Sequence, residues 1–100
     1  MKTYTLCGSM RFCSEMKAIA YELEAQKGYN ILQCAYCPED TAPHEEELQR
    51  LRKAHFRKID MSDGIYVVNI GGYIGDSVKA EIGYAQRNNK EIIYYCDAES

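Results

Sequence analysis

The chain has 100 residues, 46% of them hydrophobic and 27% charged, a composition that suits one folded domain (1–100) with a single core and argues against a disordered segment. A net charge of −3 and a pI near 5.3 argue against general affinity for a nucleic-acid polymer or an anionic membrane, and leave a small-molecule partner as the expectation. No apolar run approaches the ~20 residues that span a bilayer, and "MKTYTLCGSM" lacks the apolar stretch of a signal peptide, so a cytoplasmic location is expected.

The elements alternate. "KTYTLC" is rich in β-forming residues and ends at Gly8, which predicts a first strand. From about residue 11 to 27, Met16, Ile19, Ala20 and Leu23 recur at helical spacing, and the pattern stops at Gly28. "YNILQC" predicts a short second strand, followed by a loop over residues 34–43 punctuated by Pro38 and Pro43. "HEEELQRLRKAHFRKID" places Glu45, Glu46 and Glu47 in its first turn and its cations later, matching the helix dipole at both ends. Glu46 and Arg50, four apart, add a surface pairing. The charges form a solvated face, with Leu48, Leu51 and Ile59 turned inward.

"GIYVVNI", residues 64–70, is a short continuous apolar run, the habit of a strand buried on both faces in a parallel sheet. A third helix after Asp76 buries Val78, Ile82 and Ala85, with Gly83 allowing close packing. "EIIYYC" predicts the last strand. The order βαβαβαβ calls for a four-stranded parallel sheet with right-handed crossovers, a small three-layer α/β domain of the Rossmann-like (flavodoxin-like) kind. Ligands of such sheets bind beyond the C-terminal strand ends, where the strand order reverses.

Two loops belong to that end. In "CGSMRF", Gly8 lets backbone approach a ligand, and Ser9 and Arg11 supply donors beside the free N–H groups of a helix start, a plausible phosphate site. The alternative is that Ser9 only caps the helix and Gly8 relieves the turn. No G-K-[ST] follows and no G-x-G-x-x-G is present, which excludes a P-loop and a dinucleotide fingerprint. In the second loop, Gly71, Gly72 and Gly75 surround Tyr73 and Ile74, Asp76 or Ser77 is placed to cap the next helix, and Glu81 lies about one turn inside it. A carboxylate there either stabilises the helix dipole or, kept ionised by it, serves as a nucleophile. Asp63, in "MSDG", immediately precedes the buried strand.

The cysteines are Cys7, Cys13, Cys34, Cys37 and Cys96, an odd count of five, expected to be thiols in a reducing compartment. "CAYC", Cys34 to Cys37, is half of a zinc or redox motif. His44, His55, Cys13 and Cys96 supply no second paired spacing, so two loop thiols are expected, without a metal or cofactor.

"GSMR" after the first strand, "SDGIYVVN" at the third, and "AEIGYAQRNNKEI" resemble the three signatures of the nucleoside 2-deoxyribosyltransferase and 2′-deoxynucleoside 5′-phosphate N-hydrolase superfamily. The strongest part is the E-[LI]-G-x-A-x-x-x-x-K run, met by Glu81, Ile82, Gly83, Ala85 and Lys90. The resemblance implies that Glu81 attacks the anomeric carbon and that Asp63 positions or protonates the leaving base. It also implies that Gly8, Ser9, Met10 and Arg11 line the sugar or 5′-phosphate pocket, with Gly75 and Ser77 near it. Tyr73 or Tyr36 is placed to stack on the base. Phe12 and Cys13 stand where the hydrolase branch often has a glycine pair. The short ending "CDAES" favours hydrolysis over base transfer, and a homodimer is implied by the resemblance alone. "GGYIGDSVKAE" also echoes the loop of cytokinin-activating phosphoribohydrolases, and a comparable glutamate serves TIR-like enzymes that cleave NAD. A reading of a different class is a non-catalytic nucleotide-binding sensor. A pocket holding Glu81 beside Asp63 favours the enzyme, and one filled by Tyr73 favours the sensor.

Overall fold

The computed structural model describes residues 1–38 and 41–96; the ending "DAES" and two residues of the expected loop after Pro38 lie outside them. The chain runs β1 (Thr3–Gly8), a 3₁₀ turn (Met10–Phe12), α1 (Cys13–Ala25), β2 (Asn30–Leu32), α2 (Glu45–Asp60), β3 (Gly64–Val68), a second 3₁₀ turn (Ile70–Gly72), α3 (Asp76–Arg87) and β4 (Glu91–Tyr94). The expected βαβαβαβ order is present, with β2, β3 and β4 shorter than the runs that announced them.

All strand pairs are parallel, in the order β2-β1-β3-β4. Side chains on a strand alternate between faces, and each face of this sheet has its own apolar cluster. Tyr4, Leu6 and Val68 pack with Met16, Ile19, Ala20 and Leu23 of α1. Cys7, Ile65 and Val67 pack with Ile59 of α2 and with Val78 and Ala85 of α3. The result is the three-layer α/β/α sandwich that burial of β3 on both faces requires.

Several local expectations are corrected. A 3₁₀ turn takes residues 10–12, so α1 starts at Cys13, and Ser9 caps that turn by accepting a hydrogen bond from the Arg11 N–H at 3.3 Å. Neither Asp76 nor Ser77 caps α3: the N-cap is Gly75, and both fall inside the helix. Among α2's residues only Ile59 is fully buried; Leu48 is half-buried and Leu51 is 39% exposed, because the inner face of the helix's first half borders a cavity and not the core. Ile82 is likewise only partly buried.

The opposite, N-terminal edge of the sheet is closed by polar bonds. The Thr3 N–H donates to the Asp63 carboxylate at 2.8 Å, and the Tyr4 hydroxyl donates to Glu91 Oε1 at the same distance. Lys90 Nζ donates to the carbonyls of Asp60 and Ser62, 3.1 and 2.8 Å away, tying the end of α2 to the start of β4. Gly64 sits opposite Glu91 of β4 with no room for a side chain: a Cβ placed on it would lie 2.3 Å from the Glu91 carbonyl oxygen. Gly71 and Gly72 hold φ of 65° and 80°, the left-handed region that glycine enters without steric cost, and so turn the chain sharply after β3.

Two outcomes follow from this edge. Gly64→Ala forces β4 away from β3 and is expected to lower stability by about 1–3 kcal/mol, the range for overpacked sites, measured from the urea midpoint. Burial, with Glu91 adding to it, pushes the Tyr4 hydroxyl up to about 12. The folded chain therefore keeps this proton at pH values where the unfolded chain has lost it, and stability falls as pH rises from about 10 to about 12. Tyr4→Phe should flatten part of that alkaline limb in a series of denaturation midpoints.

Candidate active site

The strand order reverses between β1 and β3: the chain leaves β1 toward β2 on one side and later leaves β3 toward β4 on the other. Loops diverge there and leave a crevice at the C-terminal strand ends. A cavity of about 580 Å³ occupies it, lined by Gly8, Ser9 and Met10 after β1, by Tyr73, Gly75, Ser77 and Glu81 around the start of α3, and by the inner face of α2. The size falls within the roughly 300–1,000 Å³ typical of small-molecule sites.

Two reactive side chains of its wall, His55 from α2 and Glu81 from α3, meet a third, Cys7 of β1, buried behind them. Glu81, the sixth residue of α3, is 15% exposed, and its Oε1 lies 3.4 Å from Nε2 of His55, which is 11% exposed. The same Nε2 lies 3.5 Å from Sγ of the fully buried Cys7. His55 Nδ1 is buried with no hydrogen-bond partner among the described residues, so no neighbouring side chain fixes the ring's tautomer from behind. Burial, with Glu81 adding to it, holds the Cys7 thiol well above the ordinary thiol range, in its neutral form. Glu81 is therefore no helix cap. It stands beyond the first turn, paired with an imidazole from another helix.

Most of the expected site residues gather here. Gly8, Ser9, Met10, Tyr73, Gly75, Ser77 and Glu81 all line the cavity. Arg11 does not; its guanidinium carbon lies 3.8 Å from the centroid of the Tyr73 ring, and Phe12 meets that ring edge-on at 6.0 Å. Tyr73 is thus held at the rim, 39% exposed, and does not fill the cavity. Tyr36 is turned away, with its hydroxyl donating to Gln33 and its ring packed on the α1 side of the sheet.

Asp63 is at the other end of the molecule. It directly precedes Gly64, the first residue of β3, and is occupied by the Thr3 N–H. The five residues of β3 separate it from the C-terminal edge by about 16 Å at ~3.3 Å per residue. The juxtaposition of Glu81 with Asp63 is thus not found; the neighbour of Glu81 is His55. Lys90 is also structural, engaged at the N-terminal edge.

Cys34 and Cys37 are free thiols in an irregular segment along the cavity, and Cys37 donates to the Thr41 carbonyl at 3.1 Å. Among the described residues, the donor atoms that converge do so at Cys7, His55 and Glu81, away from the C-x-x-C pair. Two cations of α2, Arg52 and Lys58, also line the cavity, so that helix's charge is not all on a solvated face. A second depression, about 680 Å³, lies on the outer faces of α2 and α3. It contains none of the expected residues, and its carboxylate, Asp60, accepts from the Tyr84 hydroxyl at 2.5 Å.

No family model, curated protein or solved structure matches this chain. No helix among the described residues is long and apolar enough to cross a membrane.

The wall geometry orders the thiols by access. With limiting iodoacetamide, Cys37, exposed, should be alkylated first and Cys7, buried and neutral, last, at a rate that tracks unfolding. Peptide mapping by mass spectrometry checks this. Early labelling of Cys7 would mean that the wall is open.

Proposed function

We propose that the chain cleaves the N-glycosidic bond of a nucleoside or nucleoside 5′-monophosphate by hydrolysis, with Glu81 as the nucleophile. The observation that carries the reading is the placement of Glu81 in the wall of the switch-point cavity, within reach of His55 and facing the loop of Gly8, Ser9 and Met10. Composition and fold suit a small ligand, and the resemblance of "AEIGYAQRNNKEI" and "GSMR" supplies the reaction class.

The chemistry runs in two steps. Loss of the base builds positive charge at C1′, which an ionised carboxylate beneath the sugar stabilises and then captures as a glycosyl ester. The C1′–N bond breaks toward the base, which takes its proton from solvent at the cavity mouth. Water then attacks C1′, giving its proton to Nε2 of the neutral His55 imidazole, whose hydrogen is on Nδ1 at that step, and the Glu81 carboxylate leaves. His55 pairs with Oε1 of Glu81, which leaves Oε2 for the sugar. Tyr73 at the rim offers a face for the base. Ser9, Ser77, Arg52 and Lys58 offer donors for hydroxyls or a 5′-phosphate. Asp63 has no part in this chemistry, since its carboxylate serves the sheet edge.

Free base is followed by chromatography after incubation with ribo- and deoxyribonucleosides, their 5′-monophosphates and NAD. Glu81→Gln is expected to lose on the order of 10³-fold or more in base release. His55→Gln should lose about 10²-fold and accumulate a glycosyl adduct on Glu81, visible as an intact-mass increment. Asp63→Asn should retain turnover. Absence of base release from every compound, with one of them still raising the melting temperature, would replace catalysis by a nucleotide-sensing role.

A further inference from the structure

The contacts at His55 have a feature that base cleavage does not use. Cys7 Sγ and Glu81 Oε1 approach the same ring nitrogen, Nε2, at 3.5 and 3.4 Å. In a nucleophilic triad the carboxylate would hold Nδ1 while the thiol faced Nε2; here Nδ1 has no partner. Three lone-pair donors, sulfur, nitrogen and oxygen, therefore lie together, all within 4.8 Å of one another. A single hydrogen on Nε2 satisfies at most one of the two approaches well.

We propose that Cys7, His55 and Glu81 bind one Zn²⁺ ion, with the fourth coordination position open to the cavity. Zinc–sulfur and zinc–nitrogen bonds of about 2.3 and 2.0–2.1 Å, at a tetrahedral angle, place sulfur and nitrogen about 3.5 Å apart and nitrogen and oxygen about 3.3 Å apart. The two contacts to Nε2 already have those spacings. The donor set of thiolate, imidazole and carboxylate suits a borderline-soft ion with tetrahedral preference, and not Mg²⁺ or Ca²⁺, which take oxygen ligands.

Charge balance supports the same ion. On binding, the Cys7 thiol gives its proton to solvent and His55 binds through neutral Nε2, with its hydrogen on Nδ1. The two negative ligands then offset the two positive charges of the metal, so the buried site carries no net charge. Three protein ligands on three separate elements, with the fourth position toward a cavity, is the open arrangement in which zinc can hold water or an anionic ligand. The ion would also couple the sheet to α2 and α3 in the folded state alone, and so stabilise it.

The site stands on its own geometry. Its consequence for base release rests on the function proposed above: a carboxylate whose Oε1 is bound to Zn²⁺ has its negative charge drawn to the metal and is a poor nucleophile through Oε2, so the ion inhibits that reaction reversibly.

The test uses the metal-free 100-residue chain, titrated with Zn²⁺ by calorimetry and with Co²⁺ as a spectroscopic stand-in. The expected result is one ion per chain, a raised melting temperature, a near-ultraviolet sulfur-to-cobalt charge-transfer band, and the strong visible absorption of four-coordinate cobalt. Cys7→Ser should abolish the charge-transfer band. His55→Gln and Glu81→Gln should each weaken binding by at least about 10–100-fold, the loss that even outer-sphere partners cause. The double variant Cys34→Ser, Cys37→Ser should retain band and affinity. Each variant's circular dichroism and metal-free melting temperature show whether it has folded, and the Gln variants keep the test decisive if Cys7→Ser does not fold. Absence of stoichiometric binding to the wild-type chain, or binding lost in the Cys34, Cys37 double variant and kept in the Glu81 and His55 variants, would overturn the proposal. Zinc binding without base release from any substrate would leave the metal site standing and remove only its inhibitory consequence.

Discussion

The parallel pairing of β1 with β3 is the constraint on which the rest depends. Register runs from Tyr4 opposite Gly64 to Gly8 opposite Val68, and residues on both faces of these strands are buried, so neither strand can shift without exposing one apolar cluster or the other. Because the strands are parallel, both end at the same edge, and the chain must leave them in opposite directions to reach β2 and β4. That divergence makes the crevice. The cluster of Cys7, His55 and Glu81 inherits its position from it: Cys7 is the next-to-last residue of β1, and Glu81 lies on the helix that follows β3.

The fold was legible because its signals are local. The apolar run before Asn69 announced a central strand, and the spacing of Met16, Ile19, Ala20 and Leu23 announced the buried face of α1, all four of which are buried. The site was legible only where residues lie close in sequence, as in the loops at Gly8 and Gly75. Asp63 was misplaced because it directly precedes a strand while the crevice forms at the other end of that strand, a fact of direction and not of spacing. His55 was overlooked as a partner of Glu81 although a signal was present: it lies four residues after Leu51 and four before Ile59, on the face read as inward. The basic run around it drew attention to the opposite face. Cys7 gave no such signal, since a buried cysteine in a strand has the sequence appearance of any small core residue.

One carboxylate is common to both chemical readings of the wall, and its neighbours decide between them. Towards C1′ of a sugar, Glu81 is a nucleophile with an imidazole at its side. Towards a borderline-soft cation, the same carboxylate, through Oε1, is one ligand in a set completed by His55 and Cys7. Under the two proposals together, the position of His55, shared by both, would make the chemistry of the cavity sensitive to the metal content of its surroundings.

Helix α2 is fastened at one end. Ile59 is its fully buried residue, Lys90 bonds the carbonyl of Asp60, and Lys58 Nζ reaches the Gln33 carbonyl at 2.6 Å, all within its last turn. Its first half meets the cavity through Leu48, Leu51 and Arg52, with little core beneath them. Local opening is cheapest where few apolar contacts resist it. The helix is therefore held firmly near Ile59 and lightly where its first turns border the cavity, with His55 one turn from the held end. The turns that carry Leu48, Leu51 and Arg52 and the turn that carries His55 toward Glu81 are thus anchored unequally along a single helix.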